Sequence, residues 1–159
     1  MRILFVSPYF YPEPNMFMGL PFAKALAERG HQVEALTGFP NYPGGKIYDG
    51  YRIRPLQREV LDGIPVIRVA MYPSHDSSSL RRIITYSSFA FSASTIGTAV
   101  VKSADVAYIT SGPATNALAG IALQIFRRIP FVFDIKDLWP DALTATGMFT
   151  NRFGYWLAD

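Results

Sequence analysis

The chain has 159 residues, half of them hydrophobic and 17% charged, which indicates a globular domain with a sizeable core and excludes a disordered chain. The formal net charge of +3 suits anionic partners such as nucleotides or acidic lipids. The sequence lacks the dense Lys/Arg stripe that is typical of a nucleic-acid-binding protein. The absence of cysteine excludes a disulfide scaffold, a thiolate zinc site and a cysteine nucleophile, and it fits a reducing compartment.

The N-terminal segment does not have the character of a secretory signal. Its apolar run covers only residues 3–6, whereas a signal peptide needs about 7–15 apolar residues in its hydrophobic region. A short apolar run that ends in serine and proline is instead typical of a buried strand in a parallel sheet. Together with the missing cysteines, this predicts a cytoplasmic protein.

The first 37 residues have the pattern of a strand–helix–strand unit. After a proline-rich loop, Ala23, Leu26 and Ala27 repeat with helical spacing, and Gly30 ends the helix. Residues 33–37 then form a second apolar strand. Such short joints imply a parallel pair of strands with a right-handed crossover.

Residues 38–63 are rich in proline and glycine and are predicted to be irregular, and a loop of this length is usually functional or mobile. The segment REVLDGIPVIRV, residues 58–69, overlaps the end of this loop. It has the pattern of a hairpin with Asp62-Gly63 as the turn and residues 65–69 as a sheet strand. Residues 80–101 are predicted to be helical, and residues 105–110 and 130–135 to be strands. Between these two strands, residues 118–126 show the spacing of an amphipathic helix.

Five strands that alternate with helices predict a doubly wound α/β fold. We expect a mostly parallel, Rossmann-like sheet with helices on both faces and the predicted strands in the order 3-2-1-4-5.

The helix predicted over residues 80–101 has two interpretations. It opens with Arg81-Arg82 and then runs without charge from Ile83 to Val101, which suits a peripheral contact with an anionic membrane surface. The same stretch contains seven Ser/Thr residues and a glycine, and these small polar residues favour a core helix packed against the sheet. A transmembrane helix, with about 20 mostly apolar residues, is disfavoured.

Ligands of open α/β sheets bind beyond the carboxyl ends of the strands. The loops there cover residues 7–19, 37–43, 111–116 and 136–141, and all are rich in Pro, Gly, Asn or charge. The expected substrate-binding residues are Asn15, Gly19, Asn41, Tyr42, Ser111, Gly112, Asn116 and Asp134. Gly19 is interpreted either as a point of close ligand approach at a helix N-terminus or as an ordinary loop glycine.

Several common sites are absent from the sequence. The first loop lacks the Gly-x-Gly-x-x-Gly fingerprint of dinucleotide binding, and neither a Walker A motif nor a Gly-x-Ser-x-Gly elbow occurs. His31 follows the glycine that ends the first helix, where packing over the helix end is favoured over catalysis. His75 lies in a Ser/Asp-rich connection that suits a solvated loop. Two isolated histidines predict no metal site.

The densest group of ionisable residues is DIKDLWPD at residues 134–141, where a buried strand emerges at the ligand edge. Strand alternation places Asp134 and Lys136 on one face and Asp137 on the other. Charges at this position need partners or ligands. We interpret the group as a polar site facing a cleft; the alternative is a structural Asp–Lys pair with a helix-capping carboxylate.

The sequence resembles retaining glycosyltransferases of the GT-B fold, family 4, and most closely the polysaccharide and lipopolysaccharide biosynthesis branch related to fucosamine transferases. The matching stretches occur in family order over nearly the whole chain. They read MRILFVSPYFYPEP, LAERGHQVEALTGFPNYP, GYR, REVLDGIPVIRV, TSGP and DIKDLWPDALTATG. Relatives often carry Gly-Gly in the first loop, where this chain has only Gly19, and His-Asp where it has Lys136-Asp137.

The resemblance implies that residues 1–159 form the N-terminal, acceptor-side domain of a two-domain enzyme whose C-terminal, donor-binding domain is absent from this chain. It implies a sugar nucleotide as co-substrate without a further cofactor, and a lipid-linked or oligosaccharide acceptor at the inner face of the membrane. Lys136 or Asp137 would then orient the acceptor or the sugar as catalytic residues. The fragment alone is expected to be inactive.

Two further hypotheses compete with this one. The chain could be a non-catalytic module of Rossmann-like fold that recognises a nucleotide or a saccharide. It could also be a Rossmann oxidoreductase, which the missing glycine fingerprint disfavours.

Overall fold

The computed structural model describes residues 1–14, 18–74 and 79–135. The strands are β1 (Arg2–Val6), β2 (Gln32–Thr37), β3 (Leu56–Leu61), β4 (Ile64–Val69), β5 (Val106–Thr110) and β6 (Phe131–Asp134). The helices are α1 (Leu20–Glu28), α2 (Ser79–Ser92), α3 (Thr98–Val100) and α4 (Ala117–Arg127). A π-helical turn, Ala93–Gly97, joins α2 to α3, and a 3-10 turn, Ala114–Asn116, precedes α4.

The described strands form one sheet in the order β3-β4-β2-β1-β5-β6. The five strands predicted from the sequence are β1, β2, β4, β5 and β6. They lie in the predicted order 3-2-1-4-5, and all pairings among these five strands are parallel. The doubly wound, mostly parallel α/β fold is therefore confirmed.

The sixth strand is the first arm of the predicted hairpin. β3 lies antiparallel to β4 at the edge of the sheet, and Leu61 pairs with Ile64 across the turn. The two turn residues, Asp62 and Gly63, have φ angles of 48° and 83°, the left-handed conformations of a two-residue type I′ turn. Asp-Gly adopts these angles readily, which is why this short signal located the hairpin.

Helices cover both faces of the sheet, and the sheet separates the core into two clusters. On the face of α1, Phe5 and Val66 pack with Ala23. On the other face, Leu4 and Val6 pack against residues of α2 and α4. Alternation along β1 sends its side chains into both clusters, which explains why this strand is a continuous apolar run.

Helix α4 confirms the predicted helix, but four of its large apolar side chains face outward. Gly120 is buried against the sheet, where an added Cβ would lie 2.7 Å from atoms of Ile109 and Phe131. Because the helix lies so close to the sheet here, the side that faces the sheet carries the small residues Ala119, Gly120 and Ala122. Leu118, Ile121, Ile125 and Phe126 are consequently exposed.

The helical stretch predicted over residues 80–101 is confirmed as α2, the π-helical turn and α3. Phe89 and Ala93 are buried against the sheet, whereas Ile83, Ile84 and Phe91 are exposed. The segment Ile83–Val100 has a mean hydropathy of 1.2 and is long enough to cross a membrane, a test that core helices of soluble proteins also pass. Since 39% of it is buried inside the protein, its inner face belongs to the core.

Candidate functional site

Three of the four loops predicted to bind a ligand meet at the carboxyl edge of the sheet. The loops after β1 and β2 are joined by a hydrogen bond from the backbone N–H of Gly38 to the carbonyl of Pro8, at 3.3 Å. The loop after β5 approaches them, because a Cβ on Gly112 would lie 3.9 Å from Pro8 Cγ. The backbone N–H of Ser111 also donates to the carbonyl of Asp134 at 3.0 Å, which ties this loop to β6.

Gly19 lies immediately before α1, as predicted, and is buried. Its carbonyl accepts the backbone N–H of Ala23, and it contributes no side chain that caps the helix. The predicted residues Asn15, Lys136 and Asp137 lie outside the described residues.

Asn41 and Tyr42 follow β2 but differ in accessibility. Asn41 is buried, and its side-chain amide donates to the carbonyl of Phe39 at 2.9 Å and contacts Met71 Sδ at 3.7 Å. Tyr42 is 39% exposed, and its ring lies 5.3 Å from the ring of Tyr9, centroid to centroid. Of the two, Tyr42 can contact a ligand directly, whereas Asn41 shapes the loop.

Asn116 shapes the loop that carries Ser111 and Gly112. It is fully buried, and its amide nitrogen donates to the carbonyl of Thr110 at 2.9 Å. This bond fastens the start of α4 to the end of β5, so the loop between them is closed at its base. Asn116 Oδ1 is buried without a hydrogen-bond partner among the described residues.

Asp134 interacts with the core on the side of α1. Its Oδ2 accepts a hydrogen bond of 2.8 Å from the hydroxyl of Tyr108, whose ring stacks on Phe5. Burial and this hydrogen bond together raise the pKa of Tyr108 to about 12. At least one oxygen of Asp134 therefore has a structural role at the end of β6.

Glu13 organises this edge, although the sequence analysis did not select it. The side chain is buried, and Oε1 accepts the backbone N–H groups of Asn41 and Tyr42 at 2.7 and 2.8 Å. Oε2 accepts the backbone N–H of Phe10 at 2.9 Å. Burial raises the pKa of Glu13, against the opposing effects of these three hydrogen bonds and of the nearby Arg68.

Arg68, in β4, is a second organising residue that the sequence analysis missed. It is fully buried, and Nε donates to Glu59 Oε1 at 2.6 Å. The two remaining nitrogens donate to the carbonyls of Gly38, at 2.9 Å, and Tyr11, at 2.5 Å. The guanidinium also lies 4.9 Å from the ring centre of Tyr51, within cation–π range.

Glu13 and Arg68 together fix the loops after β1 and β2 to each other and to β4. A buried charge is unfavourable unless polar partners compensate it. Arg68 is paired with Glu59 and donates to carbonyls of the two loops, and Glu13 accepts three of their backbone N–H groups. A signal for them exists in the sequence: an arginine inside the apolar strand IPVIRV, and a glutamate between Pro12 and Pro14.

The remaining titratable groups do not form a metal site in the described part of the chain, where no three His, Asp or Glu residues are suitably grouped. The backbone N–H of His31 donates to the carbonyl of Leu26, so this residue closes the end of α1. A cavity of about 330 Å³ lies near it, lined by Arg2, Glu34 and Lys102 among others. That cavity is at the amino ends of β1 and β2, on the side of the sheet opposite the loops.

Comparisons with known proteins agree with this architecture. The family described as "Glycosyl transferase 4-like domain" matches residues 20–159. Among solved structures, the catalytic domain of starch synthase IV from Arabidopsis thaliana, bound to ADP and acarbose, superimposes with a TM-score of 0.56 at 14% identity. The match covers 82% of this chain and 33% of that one, so the chain spans about a third of the length of that structure. A search of curated protein sequences found no match.

Proposed function

The chain belongs to the glycosyl transferase 4-like domain family and has the fold of a GT-B glycosyltransferase domain, and from this premise we propose that it is the N-terminal, acceptor-side half of such an enzyme. The enzyme transfers a sugar, with retention of configuration, from a sugar nucleotide to a saccharide acceptor. In keeping with the branch related to fucosamine transferases, the acceptor is lipid-linked and the product is a surface polysaccharide or lipopolysaccharide.

One observation carries the proposal: the loops after β1, β2 and β5 meet at the carboxyl edge of the sheet, where open α/β sheets bind ligands. Glu13 and Arg68 hold the first two loops in one arrangement. An acceptor hydroxyl must be held in line with the reacting carbon, and such positioning requires a rigid surface.

The chemistry of glycosyl transfer assigns roles to the rest of the edge. The reaction passes through an oxocarbenium-like state while a nucleoside diphosphate leaves. The N-terminus of α1, behind Gly19, faces the leaving diphosphate, whose charge suits the positive end of the helix dipole. Lys136 and Asp137 orient the acceptor or the sugar, and the accessible loop residues Tyr42, Ser111 and Gly112 bind the substrates.

The test is release of nucleoside diphosphate by the full-length protein from UDP-, GDP- and ADP-linked sugars. We expect release above the blank, and an Asp137→Ala variant at least about 100-fold slower, since this is the lower end of the effect of a positioned acid–base group. The free energy of unfolding of the variant should change by less than about 1 kcal/mol. Residues 1–159 alone should release nothing.

The second candidate function is a non-catalytic module that binds a nucleotide or a saccharide. It predicts binding without diphosphate release by the full-length protein. An Asp137→Ala variant with an unchanged rate would leave the enzyme proposal standing but assign Asp137 a structural role.

We also propose that the enzyme is cytoplasmic and contacts the inner face of the membrane through the outer side of α2. Arg81, Ile83, Ile84 and Phe91 are exposed there, a basic residue beside apolar ones. Such surfaces bind anionic lipids, with about 1 kcal/mol for each Lys or Arg near the membrane.

The membrane proposal is tested by co-sedimentation of the full-length protein with liposomes that do or do not contain anionic lipid. An Arg81→Glu, Arg82→Glu variant should bind anionic liposomes at least about tenfold more weakly, because it loses two favourable charges. The matched control is an Arg52→Glu, Arg54→Glu variant, which has the same change in net charge. These two residues are also exposed but lie before β3, so this variant should bind like the wild type. Equal binding by all three proteins would show that the outer side of α2 is not the membrane contact.

A further inference from the structure

Tyrosine is concentrated at the carboxyl edge of the sheet. Six of the nine tyrosines of the chain lie in the segments that leave β1, β2 and β4 at this edge. They are Tyr9, Tyr11, Tyr42, Tyr48, Tyr51 and Tyr72. Each of these three segments contributes one tyrosine with a large exposed fraction: 50% for Tyr11, 39% for Tyr42 and 46% for Tyr72.

The three segments are in direct contact, which brings their tyrosines close together at this edge of the sheet. Glu13 joins the segment of Tyr11 to the backbone of Tyr42. Met71, next to Tyr72, contacts the amide of Asn41, next to Tyr42. The ring of Tyr42 also packs on the ring of Tyr9 at 5.3 Å, so one aromatic ring supports another.

The backbone at Tyr11 and Tyr42 is held by side-chain hydrogen bonds. Arg68 donates to the carbonyl of Tyr11, and the hydroxyl of Tyr48 donates to the carbonyl of Tyr42 at 2.6 Å. Exposed tyrosines on a fixed backbone lose little conformational entropy when a ligand binds, because the side chain has only two rotatable angles.

The chemistry of this surface suits a carbohydrate. A tyrosine ring offers an apolar face and a polar tip, and a pyranose ring offers a face of C–H groups surrounded by hydroxyls. Stacking buries the two apolar faces against each other, while the phenolic hydroxyls can still form hydrogen bonds with sugar hydroxyls.

We propose that Tyr11, Tyr42 and Tyr72, with Tyr9 behind Tyr42, form a stacking surface that binds successive pyranose rings of an oligosaccharide acceptor. The inference rests on the proposed function and extends it by naming the residues and the kind of contact that hold the acceptor.

The experiment measures saturation transfer by NMR from the aromatic protons of the full-length protein to cellotriose, maltotriose and chitotriose, and the dissociation constant of whichever binds. We expect transfer to the ring C–H protons of at least one trisaccharide. Tyr11→Ala and Tyr42→Ala should each weaken its binding about threefold to tenfold, which is the effect of one aromatic contact. Tyr42→Phe keeps the ring and should bind within about twofold of the wild type, which separates stacking from hydrogen bonding.

Phe126→Ala is the matched control, since Phe126 is 74% exposed on α4, away from this edge. Circular dichroism confirms that each variant is folded. The inference is overturned if no trisaccharide receives saturation, or if Tyr11→Ala and Tyr42→Ala bind as the Phe126→Ala control does. If either result is found but the full-length protein still releases nucleoside diphosphate from a sugar nucleotide, the proposed function stands. If the full-length protein releases none, that result counts against the proposed function.

Discussion

Replacement of Arg68 by methionine is expected to lower the free energy of unfolding by about 3–5 kcal/mol, the cost of breaking a buried ion pair by removing one partner. Methionine fills much of the space but offers no donor. Glu59 and the carbonyls of Gly38 and Tyr11 would lose their bonds to the guanidinium. Urea denaturation, followed by far-ultraviolet circular dichroism, measures the change.

Arg58 provides the control for this experiment. It lies in the neighbouring strand, is exposed, and donates one hydrogen bond of 2.8 Å to the carbonyl of Val100. Arg58→Met should cost no more than about 1 kcal/mol. Arg68→Lys should be intermediate, since an ammonium keeps the charge but cannot reproduce the planar fork of donors. Equal stability of the two methionine variants would show that the loops do not depend on the buried guanidinium.

Replacement of Glu13 by alanine is expected to cost about 2–4 kcal/mol at pH 7. The backbone N–H groups of Phe10, Asn41 and Tyr42 would each lose their acceptor at a buried position. Glu13→Gln keeps one acceptor oxygen and should cost less. Glu28→Ala is the control, because Glu28 is exposed at the end of α1 and should change stability by no more than about 0.5 kcal/mol.

The same variant has a defined pH dependence. Because burial raises the pKa of Glu13, the folded protein binds this proton more tightly than the unfolded chain does. The contribution of the group to stability is therefore complete below the ordinary pKa of 4.5, and it declines as the pH rises through the higher pKa of the folded state. The cost of Glu13→Ala should thus be larger at pH 4 than at pH 7. A cost that grows with pH would contradict the direction of this shift.

The sheet was largely predictable because its strands are local features of the sequence. Apolar runs bounded by proline, glycine or serine located β1, β2, β4, β5 and β6, and the Asp62-Gly63 pair located the hairpin. The orientation of α4 was not predictable in this way. The spacing of residues 118–126 predicted an amphipathic helix, but it did not predict that contact with Ile109 and Phe131 requires Gly120 on the buried side.

The position of the candidate site followed from topology, because parallel strands deliver their loops to one edge. The residues that fix those loops did not follow from it. Arg68 meets the carbonyl of Tyr11, which lies 57 positions earlier in the chain, and Glu13 meets the N–H of Tyr42, 29 positions later. Such partners are known only after the strands are placed. The sequence shows only that each charge needs a partner.

The antiparallel strand β3 has a consequence for the behaviour of the protein in concentrated solution. It is one of the two edge strands of the described sheet, and an open strand edge can recruit the edge of another copy. Its centre carries Arg58 and Glu59, and exposed Arg52 and Arg54 come just before it. If a second copy paired with β3 edge to edge, its own charged and hydrated side chains would have to pack against these charged residues. The first arm of the hairpin therefore disfavours polymerisation through this edge of the sheet.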